Sequence, residues 1–126
     1  MNAGDTYRRQ HGAHLWVVLS DPQIDADSVL VVNLTSVRGR PWEDLTCVLQ
    51  AGEHRFVDHP TLVFYSDAKI TTNRELESQL AAGRIQLHDA VSEVVLAKIR
   101  EGSKRSPNMK FGYQKLLADQ GFITLD

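Results

Sequence analysis

"HLWVVLSDPQIDADSVLVVNLTS", residues 14 to 36, decides the fold. Two apolar runs flank a short segment rich in Asp. In the first run His14, Trp16, Val18 and Ser20 share one face, and Leu15, Val17 and Leu19 share the other. In the second, Val29, Val31, Asn33 and Thr35 oppose Leu30, Val32 and Leu34. Strands that are apolar on both faces belong in the middle of a covered sheet. The "DPQIDAD" between them (21–27) is a turn signal, so the runs are expected to pair antiparallel.

Working outward, "DTYR" (5–8) reads as a short first strand. "VRGRPWED" (37–44) is a loop, "LTCVLQ" (45–50) a strand, "AGEH" a tight turn at Gly52, and "TLVFYSDAKI" (61–70) a further strand. The last third changes to helical period. "TTNRELESQLAAG" opens on a Thr72–Glu75 capping box and closes on Gly83. "IQLHDAVSEVVLAKIREG" (85–102) predicts a second helix, with Asp89 as N-cap, a Val91, Val94, Val95 and Ile99 stripe, and Gly102 at its end. "SPNMKFGYQKLLADQG" (106–121) predicts a third, with Ser106 as N-cap and Pro107 in the first turn. Phe111 and Leu116 or Leu117 are expected to face inward. Strands followed by helices argue an α+β fold. The simplest form is a small curled antiparallel sheet, closed in part by the helix after residue 88. A length of 126 residues predicts a single domain, 1–126.

The formal net charge is −2, so no global basic field draws in nucleic acid, and any such site must be a local patch. The lone Cys47 excludes an internal disulfide, fits a reducing compartment, and reads as a small buried hydrophobe. The opening "MNAGDTYRRQHG" has no apolar signal core, and no run nears the roughly 18 residues of a membrane span. A cytoplasmic protein without membrane contact is expected. The five histidines form no helical metal pair, and no P-loop, dinucleotide fingerprint or nucleophile elbow is present, so neither cofactor nor metal is predicted.

One constellation carries chemistry. If residues 14–20 and 28–36 pair antiparallel, His14 at the start of one strand lies beside Thr35 and Ser36 at the end of the other. Arg8 and Arg9 precede the first strand; Arg38, Arg40 and Trp42 leave from the same edge. Imidazole, hydroxyl and guanidinium can hold a phosphodiester and move a proton on and off a ribose hydroxyl. The indole of Trp42 can stack on an unpaired base. The same residues also fit a plain polar rim, with Trp42 capping the sheet, and the residues alone favour that reading. In "AGEHRFVDHPTLVFY" (51–65), His54 and His59 flank Phe56; His59 fits a functional imidazole or, more simply, a turn residue before Pro60.

The order "GDTY" (4–7), "GAHLWVVLS" (12–20), "VLVVNLTS" (29–36), "CVLQAGEHRFVDHPTLVFYSDAKI" (47–70) and "VSEVVLAKIREG" (91–102) resembles the MazF/PemK family of toxins from toxin–antitoxin systems. The resemblance covers about residues 4 to 102. It implies a small dimeric SH3-like β-barrel that cleaves single-stranded RNA without a metal, with residues from about 104 to 126 as a helical C-terminal extension. It places Thr35 at the family's hydroxyl position, with Ser36 beside it. His14 stands where the family carries Arg, and Leu15 where it carries Pro; Asp58 is a rough match to the family's later acidic residue. A histidine cannot replace the permanent, bidentate charge of Arg but can act as general acid or base. The resemblance therefore implies His14, Thr35 and Ser36 as catalytic residues and Arg8, Arg9, Arg38, Arg40 and Trp42 as RNA contacts. It also implies an antitoxin partner that inserts a disordered segment. Two other readings stay open. One is an SH3-like binding or accessory module that has lost cleavage. The other is a toxin of the CcdB kind, docking on a topoisomerase through the tail "GFITLD" (121–126), although that tail more simply packs on its own sheet.

Overall fold

The hairpin of residues 14–36 lies in the middle of the sheet. The computed structural model describes residues 1–126. It is α+β, with six antiparallel strands and three helices. The strands are β1 (Thr6–Arg9), β2 (Leu15–Val18), β3 (Val29–Ser36), β4 (Val48–Leu49), β5 (Thr61–Thr71) and β6 (Ile85–His88), in spatial order β4-β5-β3-β2-β1-β6. The helices are α1 (Asn73–Ala81), α2 (Glu93–Arg105) and α3 (Phe111–Asp119). β4 and β6 each pair on one side only, so the sheet stays open and does not close into a barrel.

The two faces read from the hairpin are the two faces of the core. Leu15, Val17, Leu19, Leu30, Val32 and Leu34 join Tyr65, Val95, Ile99 and Leu117 in a large cluster on the face that packs with α2 and α3. Trp16, Val18, Val29 and Val31 join Tyr7, Leu76 and Ile85 in a smaller cluster on the other face, with Leu76 supplied by α1. Each fully buried aliphatic contributes about 1.5–3 kcal/mol, so β2 and β3 carry much of the driving force. Thr72 caps α1 by accepting from the Glu75 N–H at 3.0 Å, and Gly83 takes the left-handed turn after it (φ +73°).

Several expectations need correction. Residues 85–88 form β6, not helix: they pair with β1, whose outer edge would otherwise be bare. α2 accordingly starts at Glu93 with Ser92, not Asp89, as N-cap, and Val94 is 78% exposed. Gly102 lies inside α2 instead of ending it; a Cβ there would sit 2.2 Å from the Tyr65 hydroxyl, which donates to the Ile99 carbonyl at 2.7 Å. Ser106 ends α2 and donates to Asp44 at 2.5 Å, so α3 begins later, at Phe111, and lacks a side-chain cap. Phe111 is 67% exposed, while Leu117 is fully buried. The tail packs on the protein itself: Ile123 is buried, and the Arg100 guanidinium lies 3.5 Å from the Phe122 ring centroid. Cys47 is buried, and burial pushes its thiol pKa up.

Candidate functional site

The strand register builds the site. Leu15 pairs with Leu34, so the next step outward sets His14 beside Thr35. On its other side β3 pairs with β5, and Ser36 faces Thr61. His59, two residues before Thr61, is thereby carried to the same end of the sheet. Its backbone is held there: the Thr61 hydroxyl donates to the His59 carbonyl at 2.9 Å, and the Val37 N–H donates to the Pro60 carbonyl at 3.1 Å.

A cleft of about 460 Å³ opens at this end. His14, Thr35, Ser36, Arg8, Arg38 and Arg40 all line it, so six of the eight sequence-predicted residues converge. His59, which the sequence reads more simply as a turn residue before Pro60, lines it as well. Ala13, Leu15, Leu34, Phe56 and Val57 form its apolar wall. Three arginines and two histidines line the cleft and no carboxylate does, in a chain whose net charge is negative. None of the chain's ion pairs uses Arg8, Arg38 or Arg40. Arg8 lies 4.9 Å from the Phe56 ring centroid, and its buried Nε has no partner within the protein. Its field reaches His88, whose pKa is held below the usual imidazole value by burial and then by Arg8.

Ser36, His59 and Asp58 form a hydrogen-bonded chain. Asp58 Oδ1 lies 2.5 Å from His59 Nδ1, and His59 Nε2 lies 2.6 Å from Ser36 Oγ. A carboxylate only accepts, so Nδ1 carries the proton; in the neutral ring Nε2 then accepts from the Ser36 hydroxyl. The bond from His59 holds the Asp58 carboxyl below the usual range. This is the arrangement that fixes an imidazole's tautomer and aims its basic nitrogen. Thr35 belongs to a second chain: its hydroxyl donates to Asn33 Oδ1 at 3.0 Å, and the Asn33 amide donates to Asp67. His54 is different in kind. It is buried, donates from Nε2 to the Asp89 carbonyl at 2.6 Å and accepts the Phe56 N–H at Nδ1, so both nitrogens are used by the fold.

Glu43 braces the loop that bears Arg38 and Arg40. The Glu43 carboxylate accepts from the backbone N–H groups of Arg38, Gly39 and Arg40 at 2.8, 2.9 and 3.1 Å, which holds its pKa down. Asp44 anchors the loop's far side. Burial pushes its pKa up, but bonds from Ser106, Thr46 and Asn108 together outweigh that and leave it below the ordinary range.

Two expected residues lie outside the cleft. Arg9 follows Arg8 on β1 and so points to the other face, where its guanidinium covers the Trp16 ring at 4.7 Å. Trp42, 74% exposed, lines an adjoining hollow that shares Thr35 and Arg40 with the cleft. No three His, Cys, Asp or Glu side chains come together as a metal site, and no helix is long and apolar enough to cross a membrane.

No protein-family profile, curated protein or solved structure matches the chain.

Proposed function

We propose that the cleft binds single-stranded RNA and cleaves it without a metal, in a growth-inhibiting toxin of the MazF/PemK kind with an SH3-like ancestry. The observation that carries this reading is the lining: three arginines outside every ion pair, two imidazoles and three hydroxyls, with no carboxylate among them. Guanidinium forks match phosphate oxygens, and an acid-free cleft concentrates their field on an anion. His59, held by Asp58, takes the proton from the ribose 2′-hydroxyl, directly or through Ser36. The 2′-oxygen attacks phosphorus, the bond to the 5′-oxygen breaks, and His14 returns a proton to that oxygen. The products are a 2′,3′-cyclic phosphate and a 5′-hydroxyl. Arg8, Arg38 and Arg40 stabilise the charge that builds on the phosphoryl oxygens. Thr35, tied back to Asn33, orients the phosphate.

The His14 substitution loses its sting in this scheme, because the arginines around it supply the charge that the family's Arg would provide. The proposal includes a homodimer and an antitoxin that covers the cleft. The test is incubation of pure protein with single-stranded RNA in excess EDTA. We expect fragments ending in 2′,3′-cyclic phosphate and no cleavage of the 2′-deoxy equivalent. Intact RNA, together with unimpaired growth on expression, overturns the proposal.

A further inference from the structure

Beside the cleft, on the opposite side of Arg40, lies a hollow of about 260 Å³. That is slightly under the range where drug-sized pockets begin, roughly 300 Å³, and suits one flat ring system. Its apolar members are Leu62 and two exposed aromatics, Trp42 and Phe64. Thr35 and Arg40 belong to both the hollow and the cleft, so one chain can occupy the two without a break.

The exposure of Trp42 is not a product of disorder in its loop. The carboxylates of Glu43 and Asp44, the two residues after it, accept eight hydrogen bonds from the loop backbone, Thr46, Ser106 and Asn108. The loop is built, and it holds an indole in water. Arg40 approaches that ring to 5.7 Å from its centroid.

The hydrogen bonds also decide what the hollow cannot do. Both Asp44 oxygens already accept two bonds each: Thr46 N–H and hydroxyl on Oδ1, Ser106 hydroxyl and Asn108 amide on Oδ2. Glu43 is used by the backbone of its own loop. Asp44 is left with no lone pair to read the donor edge of a base, and Glu43 keeps one on Oε2. Also free are the Ser66 hydroxyl, the Arg40 guanidinium, and the Oδ1 and second amide N–H of Asn108.

We infer that this hollow is a stacking subsite for the nucleobase next to the phosphate held in the cleft, gripping the base through Trp42 and Phe64. The inference rests on the proposed RNA-binding role and adds where a neighbouring base sits.

The test uses 2′-fluoro RNA hexamers, which lack the attacking hydroxyl, with binding followed by fluorescence anisotropy at several salt concentrations. Trp42→Ala should weaken binding about 10- to 100-fold, the loss expected for one stacked base. The salt dependence should stay unchanged, because no phosphate contact is removed. Trp42→Phe should restore most of the affinity. An abasic residue at one position should weaken binding to the parent but not to Trp42→Ala. Phe64→Ala serves as a second probe, and circular dichroism checks that each variant folds. Parent-like binding by both alanine variants overturns the subsite and leaves the RNA-binding role standing. Absence of hexamer binding by the parent overturns both.

Discussion

β2 and β3 end in two different ways. At the end joined by residues 19–28, the helices cover the strands and take up their polar groups. Ser20 is fully buried and accepts the Leu30 N–H at 2.8 Å; Arg100 of α2 donates to the Leu19 carbonyl at 2.9 Å; Gln120 accepts the Asp21 N–H at 2.8 Å. The helices have sealed that end. At the other end His14 is exposed, Ser36 is held by a half-exposed histidine, and Arg8 keeps a buried Nε without a protein partner. The same hairpin thus carries a serine at each end with opposite roles. Access to solvent, not residue type, marks the open end as the place for a ligand: its imidazoles are exposed, whereas Ser20 is sealed.

Four perturbations break or sharpen that contrast. The largest effect is expected from His59→Ala, which removes a positioned proton carrier. RNA cleavage should fall about 10²- to 10⁴-fold, with the melting temperature nearly unchanged because the ring is half exposed. Equal loss of activity and stability would make His59 a structural residue. Next, Arg8→Gln should lower cleavage about 10²-fold by removing charge from the transition state. Its effect should shrink as salt is raised in the parent assay, a trend that a packing defect would not follow.

Ser20→Ala is the mirror experiment at the sealed end. It orphans the buried Leu30 N–H and should cost about 1–3 kcal/mol of stability, read by denaturant unfolding, while leaving cleavage intact. Ser36→Ala should do the reverse. The smallest effect concerns acid. Asp44 has a folded-state pKa below its unfolded value of about 3.9, so it stabilises the fold above that pH. The contribution is lost as pH falls through the lower, folded value. Melting temperatures measured from pH 6 down to pH 3 should fall more steeply in the parent than in Asp44→Asn. Parallel curves would mean that the Asp44 bonds do not hold the loop.

Much of the fold was legible because it depends on local period. Alternation in residues 14–20 and 29–36 assigned both strands, their two faces and their central place. The Thr72 cap and the turn at Gly83 followed from short-range chemistry. The failures came where a distant partner intervenes. "IQLH" continues a helical stripe in the sequence, yet the free edge of β1 takes it as β6. Gly102 resembles a helix stop, but its missing Cβ makes room for Tyr65, thirty-seven residues earlier.

The site divides in the same way. Pairing the two apolar runs was enough to bring His14 to Thr35, because antiparallel register couples one strand's start to the other's end. Finding His59 required the second pairing, of β3 with β5, whose register slips between Val31 and Asn33 and cannot be counted off from sequence. Arg8 and Arg9 are alike in sequence; the strand's two-residue period sends one to the cleft and the other to Trp16. Sequence by itself determined the strands, their faces and the stock of cations, since those depend on neighbours within a few positions. Only the tertiary structure decided which of those cations remain without an acid partner and which imidazole meets a hydroxyl, because both depend on how separate strands register and on what the helices cover.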